Sequence, residues 1–159
     1  MTEEHGLALA EKYFGHLTHR VEPPRGRGPQ LPPIAAPVRV DRHEDVPNDR
    51  LHISFRMPAE GADDFLAASL ALDCVAGLAS SPMVTRLVRR EQVATTIMAH
   101  SMGLIDGSSL GLVVVDVAPG QDADAVEAEV VTELERFAEE GPTEDILEAV
   151  KAHVERSWL

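Results

Sequence analysis

The sequence is poor in several things at once. Among its 159 residues it has one cysteine, one tryptophan, one tyrosine and two lysines. Cys74 has no partner within the chain, so no internal disulfide can form and nothing indicates an oxidising compartment. A cytoplasmic setting is the expectation. No apolar run approaches the ~20 residues that cross a bilayer, and the opening Met-Thr-Glu-Glu-His lacks the basic start and apolar stretch of a secretion signal. Membrane insertion and export are therefore not expected. Positive charge is scarce as well: the formal net charge is −13, with arginines gathered at 20–56 and 86–90 and acids crowding 122–148. Nucleic acid is a poor partner for such a chain. The segment Arg86-Leu-Val-Arg89-Arg90 reads as a solvated helix face, not as a phosphate site.

What is present is enough for a core. With 44% hydrophobic side chains, a chain of this length forms one domain, or one domain with an appended element, and buries roughly two thirds of its unfolded surface. Residues 3–14 carry Leu7, Ala10 and Phe14 at helical spacing with Gly15 as the stop, which predicts a short amphipathic helix. Six prolines between Val21 and Pro37 then hold the chain extended and mark a boundary. The expected organisation is a closing helix over 1–18, a proline-rich linker over 19–36 and a second unit over 37–159.

Within that second unit, Pro37–Asp41 and Leu51–Met57 alternate apolar and polar residues, as strands with one covered face do. Asp63–Ser80 is apolar all round and predicts a well-buried helix, followed by a shorter one at about 83–90. Gln92–Ser101 and Ser109–Val117 read as a hairpin across Gly103-Leu-Ile-Asp-Gly107. The nearly unbroken run Leu112–Val117 predicts a mid-sheet strand covered on both faces. Ala123, Val126, Val130, Leu134 and Phe137 form one stripe of a helix over 122–139. Gly141-Pro-Thr143 stops that helix and caps a last one. The fold class is α/β in the α+β sense: a mostly antiparallel sheet with helices on one face.

Chemistry is harder to find. His16 and His19 are three apart but follow Gly15, and His43-Glu44-Asp45 has no further ligands near it. His5, His52, His100 and His153 stand without partners at metal spacing. No Gly-x-Ser-x-Gly occurs, and Cys74 inside an apolar helix is expected to be an inert thiol. Gly103, Gly107 and Gly111 do not open a helix, so a turn and a thin strand position explain them better than a dinucleotide cradle. The carboxylates of 122–148 are expected on solvated faces.

Several segments nonetheless resemble one family in order and wording. Ala8-Leu-Ala-Glu-Lys-Tyr-Phe-Gly15, the proline-rich linker, Leu51-His-Ile-Ser-Phe-Arg-Met-Pro58, Asp63-Asp-Phe-Leu-Ala, Ser80-Ser-Pro-Met-Val-Thr-Arg-Leu-Val-Arg89 and Gly141-Pro-Thr-Glu-Asp are similar to stretches of the insulinase-like zinc metallopeptidases, which include pitrilysin and the mitochondrial processing peptidases. The resemblance implies paired α/β half-domains, with residues 37–159 as most of a second half. It also implies zinc held by an inverted His-x-x-Glu-His helix of the first half, a motif this chain does not contain. Zinc is therefore expected only in a catalytic partner half.

The family further uses an Arg and a Tyr seven residues apart, in a stretch like Leu-Arg-Glu-x-x-Gly-Leu-Ala-Tyr, to grip the substrate carbonyl. Aligned on it, Leu87–Thr95 places Val88 at the Arg and Thr95 at the Tyr. Arg89 is one position away, a rotation of about 100 degrees on a helix. The expectation is a non-catalytic half-domain that encloses peptide or protein substrate beside a zinc-bearing partner, within a homo- or hetero-oligomer. The alternative is a peptide- or protein-binding module that keeps the peptidase fold without proteolysis, with the edge strand Pro37–Asp41 accepting an extended segment.

Overall fold

A computed structural model of the protein describes residues 2–17, 31–104 and 107–157. Three strands, β1 (Arg50–Met57), β2 (Ala94–Met102) and β3 (Ser109–Val117), form one antiparallel sheet in the order β1-β3-β2. The β-branched run of β3 suits a position paired on both edges. The β2–β3 hairpin turns through Gly107, whose φ of +101° is a conformation that glycine adopts freely. Across the sheet the register sets four rows: Arg50–Asp116–Thr96, His52–Val114–Met98, Ser54–Leu112–His100 and Arg56–Leu110–Met102.

The helices are α1 (Glu3–Phe14), α2 (Phe65–Ala76), α3 (Ala123–Glu140) and α4 (Glu144–Ser157), with a π-helix over Val84–Arg90. Four of these five cover one side of the sheet. α2 lies over β2 and β3, α3 over β1, the π-helix against β2, and α4 on the flank of α2. The core between them joins Val113, Val115 and Val117 of β3 to Leu72 and Val75 of α2, Met83 and Leu87 beside and on the π-helix, and Val126 and Val130 of α3. Gly111 belongs to this side as well. A Cβ there would lie 2.4 Å from the Phe55 ring and 2.8 Å from the Met57 sulfur, so the position is thin because its neighbours are large.

Ser81 closes the turn after α2. It is buried, accepts the Leu78 N–H at 3.0 Å, and donates to the Asp73 carbonyl at 3.2 Å. Asp122 caps α3 by accepting the Asp124 N–H at 3.1 Å, and Thr143 accepts from the Ile146 N–H at 3.4 Å at the start of α4.

Three expectations need correction. Pro37–Asp41 is not a strand. Arg39 pairs with Asp124 at 2.5 Å and Glu127 at 3.1 Å, which ties the segment to α3 and away from the ladder, and Val38 is 86% exposed. The edge proposed for peptide addition is therefore absent at these residues. β3 is not covered by helices on both faces: among the described residues helices lie on one side only, and Val114 on the other side is 7% exposed. α2 is shorter than predicted and not buried all round, because no layer lies outside it; Leu66 is 63% exposed. The linker residues 19–30 lie outside the described residues.

The contrast between Leu66 and Leu87 gives a direct test of this layering. Leu87→Ala should cost about 3 kcal/mol, as expected for a fully buried leucine, whereas Leu66→Ala should stay within about 0.5 kcal/mol of the parent. Urea denaturation of both variants measures the difference.

Candidate functional site

On the side away from the helices, no helix or strand among the described residues lies over the sheet, and the surface is bare of them. Leu110, Leu112 and Val114 run down its middle on β3, flanked by Met98 and Met102 on β2. Met98 is 51% exposed. The polar members lie at the edges: Arg50, His52, Ser54 and Arg56 on β1, Thr96 and His100 on β2. One acid, Asp116, lies among these rows, held by the Arg50 guanidinium at 2.5 Å. Arg56 donates to the carbonyl of Pro32 and makes no ion pair among the described residues. An antiparallel sheet facing water ordinarily turns polar side chains outward. An apolar centre there is the feature of a surface that meets something.

The segment matching the family's Arg–Tyr motif leads from the helical layer to the edge of this surface. Val88, on the π-helix, is half-buried against the core. Thr95 is exposed at a β-bulge, where the register slips between Ala94 and Thr96, and its Oγ1 donates to the Asp116 carbonyl at 3.2 Å. Arg89 is exposed, so it does not share the core-facing direction of Val88. Between them Gln92 has φ +55°, the one non-glycine described with positive φ. The motif quoted above carries its glycine at this position, and the backbone there is the kind that glycine favours. Neither valine nor threonine supplies the cationic or phenolic donor of the motif.

Beneath this segment lies a charged cluster that spacing had hidden. Glu133 of α3 is fully buried. It accepts from Arg86 at 2.8 Å and from Arg136. Arg86 also meets Glu91 at 2.9 Å and Glu129, and Arg136 meets Glu140 at 3.3 Å. Burial pushes the Glu133 carboxyl up, but the hydrogen bonds and charges of Arg136 and Arg86 outweigh it and hold the group below the ordinary carboxylate range. Hydrogen bonding to Glu91 leads the causes that raise the Arg86 guanidinium. Thus one acid of 122–148 is not on a solvated face, and Arg86 is not a solvated arginine. The signal was available: Glu133 follows Val130 by three and precedes Phe137 by four, inside the apolar stripe.

A cavity of about 410 Å³ opens beside this cluster, lined by Arg86, Arg90, Arg136, Phe137, Pro142 and Ile146 among others. Two of its guanidiniums, Arg86 and Arg136, are paired with the carboxylates just named, one of which, Glu140, also lines the cavity.

The histidines do not converge. Among the described residues no three His, Cys, Asp or Glu side chains come together as a metal site. The donors present therefore do not fit the zinc that the resemblance associates with the family. His19, and with it the His16–His19 pair, lies outside the described residues. Burial, then the charge of Asp73, pushes the Cys74 thiol up, which keeps it protonated. Burial likewise raises the Asp73 carboxyl, with His153 opposing. No helix among the described residues is long and apolar enough to cross a membrane.

Comparison with known proteins agrees with the resemblance. The family model of the peptidase M16 inactive domain matches residues 1–154. A protease from Helicobacter pylori is similar at 20% identity with a TM-score of 0.72, over 99% of this chain and 38% of that one. The peptidase M16 inactive domain from Pseudomonas fluorescens is similar at 12% identity with a TM-score of 0.61, over 68% of this chain and 26% of that one. The inactive peptidase domain of a candidate zinc protease from Bordetella parapertussis gives 22% identity and a TM-score of 0.63, over 71% and 60%. At these identities the likenesses show the fold. The chain spans less than two thirds of each of these structures. No curated protein matches.

Two predictions follow from the geometry of this segment. Glu133→Gln should destabilise the protein by about 2–3 kcal/mol near pH 7, since it strips charge-assisted bonds from two arginines that keep partial access to water. Because the folded carboxyl is depressed, its contribution is present above the ordinary value of about 4.3 and is lost as pH falls through the folded value. The variant should thus lose stability less steeply on acidification, and denaturation curves over a pH series measure both effects. Gln92→Gly should relieve the left-handed backbone and stabilise by about 1 kcal/mol, a rise of about 3 °C in Tm by calorimetry.

Proposed function

The chain belongs to the family of inactive peptidase M16 domains, and from that premise we propose that it is the non-catalytic half of a zinc peptidase, walling in peptide substrate beside a zinc-bearing half. The bare, apolar-centred face of the sheet carries this reading. A wall that holds an unfolded chain needs side chains that accept apolar groups without a fixed lock. Leu110, Leu112 and Val114 offer that, with two flexible methionines beside them.

In the same reading, residues 1–18 close a preceding half-domain, 19–36 connect, and 37–159 form the second half. α1 supports the arrangement. None of its described residues is buried, and Leu7, Tyr13 and Phe14 all face solvent, an apolar stripe suited to a neighbouring half or a second chain. Val88 and Thr95 occupy the positions at which the family grips the substrate carbonyl. Their side chains cannot stabilise an oxyanion as a guanidinium and a phenol do, so this half contributes enclosure and leaves the chemistry to its partner.

Mixing the chain with a zinc-bearing half that carries His-x-x-Glu-His should raise peptide hydrolysis about tenfold or more over that half alone, with a chelator abolishing the activity. The chain by itself should be inactive. Hydrolysis by the isolated chain with a metal held by its own residues would overturn the proposal, as would the absence of any gain on mixing.

A further inference from the structure

The bare face of the sheet differs in charge from the rest of the molecule. The chain carries a formal net charge of −13, and by that figure alone it should attract basic peptides and repel acidic ones. The exposed rows reverse the balance. Asp116 is their one acid, and Arg50 already neutralises it at 2.5 Å. Arg56 has no carboxylate partner among the described residues, only the Pro32 carbonyl. His52 stands directly across from Val114 on one side, and His100 directly across from Leu112 on the other. Each imidazole offers at least one N–H donor and neither lies beside an acid within the rows. The one charge at the edges without a partner of opposite sign among the described residues is thus the Arg56 guanidinium, with imidazole and hydroxyl groups beside it, and the centre between them is apolar.

We infer that this face selects extended peptide segments in which apolar residues are interspersed with acidic ones. The inference rests on the reading of the face as a substrate wall and adds to it a substrate class. The physical reason is positional. An extended segment turns every second side chain to the same face, so an apolar side chain laid on Leu112 or Val114 brings those two residues away, about 6.7 Å along, towards the edge strands, which lie about 4.8 Å to either side. At those edges a carboxylate meets the Arg56 guanidinium and the N–H donors of His52 and His100, whereas a lysine is repelled by Arg56 and finds the one carboxylate of the rows, Asp116, already paired with Arg50. Charges on such a face discriminate between partners more than they add affinity.

Two blocked hexapeptides that put both kinds of side chain on one face test this, Leu-Ser-Glu-Ser-Leu-Ser and Leu-Ser-Lys-Ser-Leu-Ser, each titrated into the full chain and followed through its backbone amide signals. The glutamate peptide should move the signals of β1, β2 and β3 and bind at least about fivefold more tightly than the lysine peptide, with the difference fading in about 1 M salt. The double variant Arg56→Glu with His100→Glu, both at exposed positions, should invert the order while its thermal unfolding matches the parent. Equal or tighter binding of the lysine peptide to the parent chain would overturn the inference, as would a preference that survives the double substitution. If the lysine peptide moves the same signals with equal or higher affinity, the acidic preference falls and the wall remains. If neither peptide moves them at millimolar concentration, both fall.

Discussion

Strand β3 hydrogen-bonds along both of its edges yet receives cover on only one of its faces, and the rest of the fold is arranged around that asymmetry. On the covered side Val113, Val115 and Val117 meet α2, α3 and the π-helix in a continuous core. On the other, Leu110, Leu112 and Val114 hold the same apolar character with no helix or strand of the described residues layered over them. Pairing on both sides screens Val114, but it cannot screen the outer strands. Arginine, histidine and serine accordingly fill the outward positions of β1, and threonine, histidine and methionine those of β2. The surface that results is apolar along its spine and hydrogen-bonding at its margins, a distribution set by strand order before any ligand is considered.

The same asymmetry explains which elements could be read from the sequence. Helix α3 was legible because its stripe repeats at three and four and faces one layer. β3 was legible as a strand and as the central one, since its β-branched run tolerates little else. Its two-sided cover was misread because a sheet whose bare face is apolar has the same local pattern as one buried twice. Pro37–Asp41 failed for a different reason. Alternation specifies a willingness to pair, but pairing needs an edge, and the ion pairs of Arg39 with α3 hold this segment elsewhere. Glu133 was missed because a carboxylate inside an apolar stripe can be accounted for only with its cations in hand, and Arg86 lies 47 residues away in sequence. The motif positions Val88 and Thr95 could be named from the resemblance alone; that one faces the core and the other a bulge required the structure.

The stretch from Arg86 to Thr95 shows how shape and chemistry can part company. A fully buried carboxylate is a poor source of net stability, since desolvation takes back much of what pairing gives. What such a cluster does secure is geometry. Arg86 anchors the π-helix to α3 through Glu133 and Glu129, and to the start of the next turn through Glu91. Five residues beyond, the Glu91 N–H reaches back to the Arg86 carbonyl, and the chain then takes its left-handed step at Gln92 before entering β2. The backbone course is thus held at both ends.

The path of the chain past Val88 and Thr95 has a consequence of its own, whatever donors these side chains offer. The left-handed step at Gln92 and the bulge at Thr95 set how β2 enters the sheet, and hence which of its residues face outward: Thr96, Met98, His100 and Met102 reach the bare face because the register slips by one residue at its start. Without that slip the outward set would be the complementary one, and Ile97 and Ala99, which now pack on the core side, would be turned to solvent. The segment from Arg86 to Thr95 therefore helps determine the composition of the surface through its backbone course.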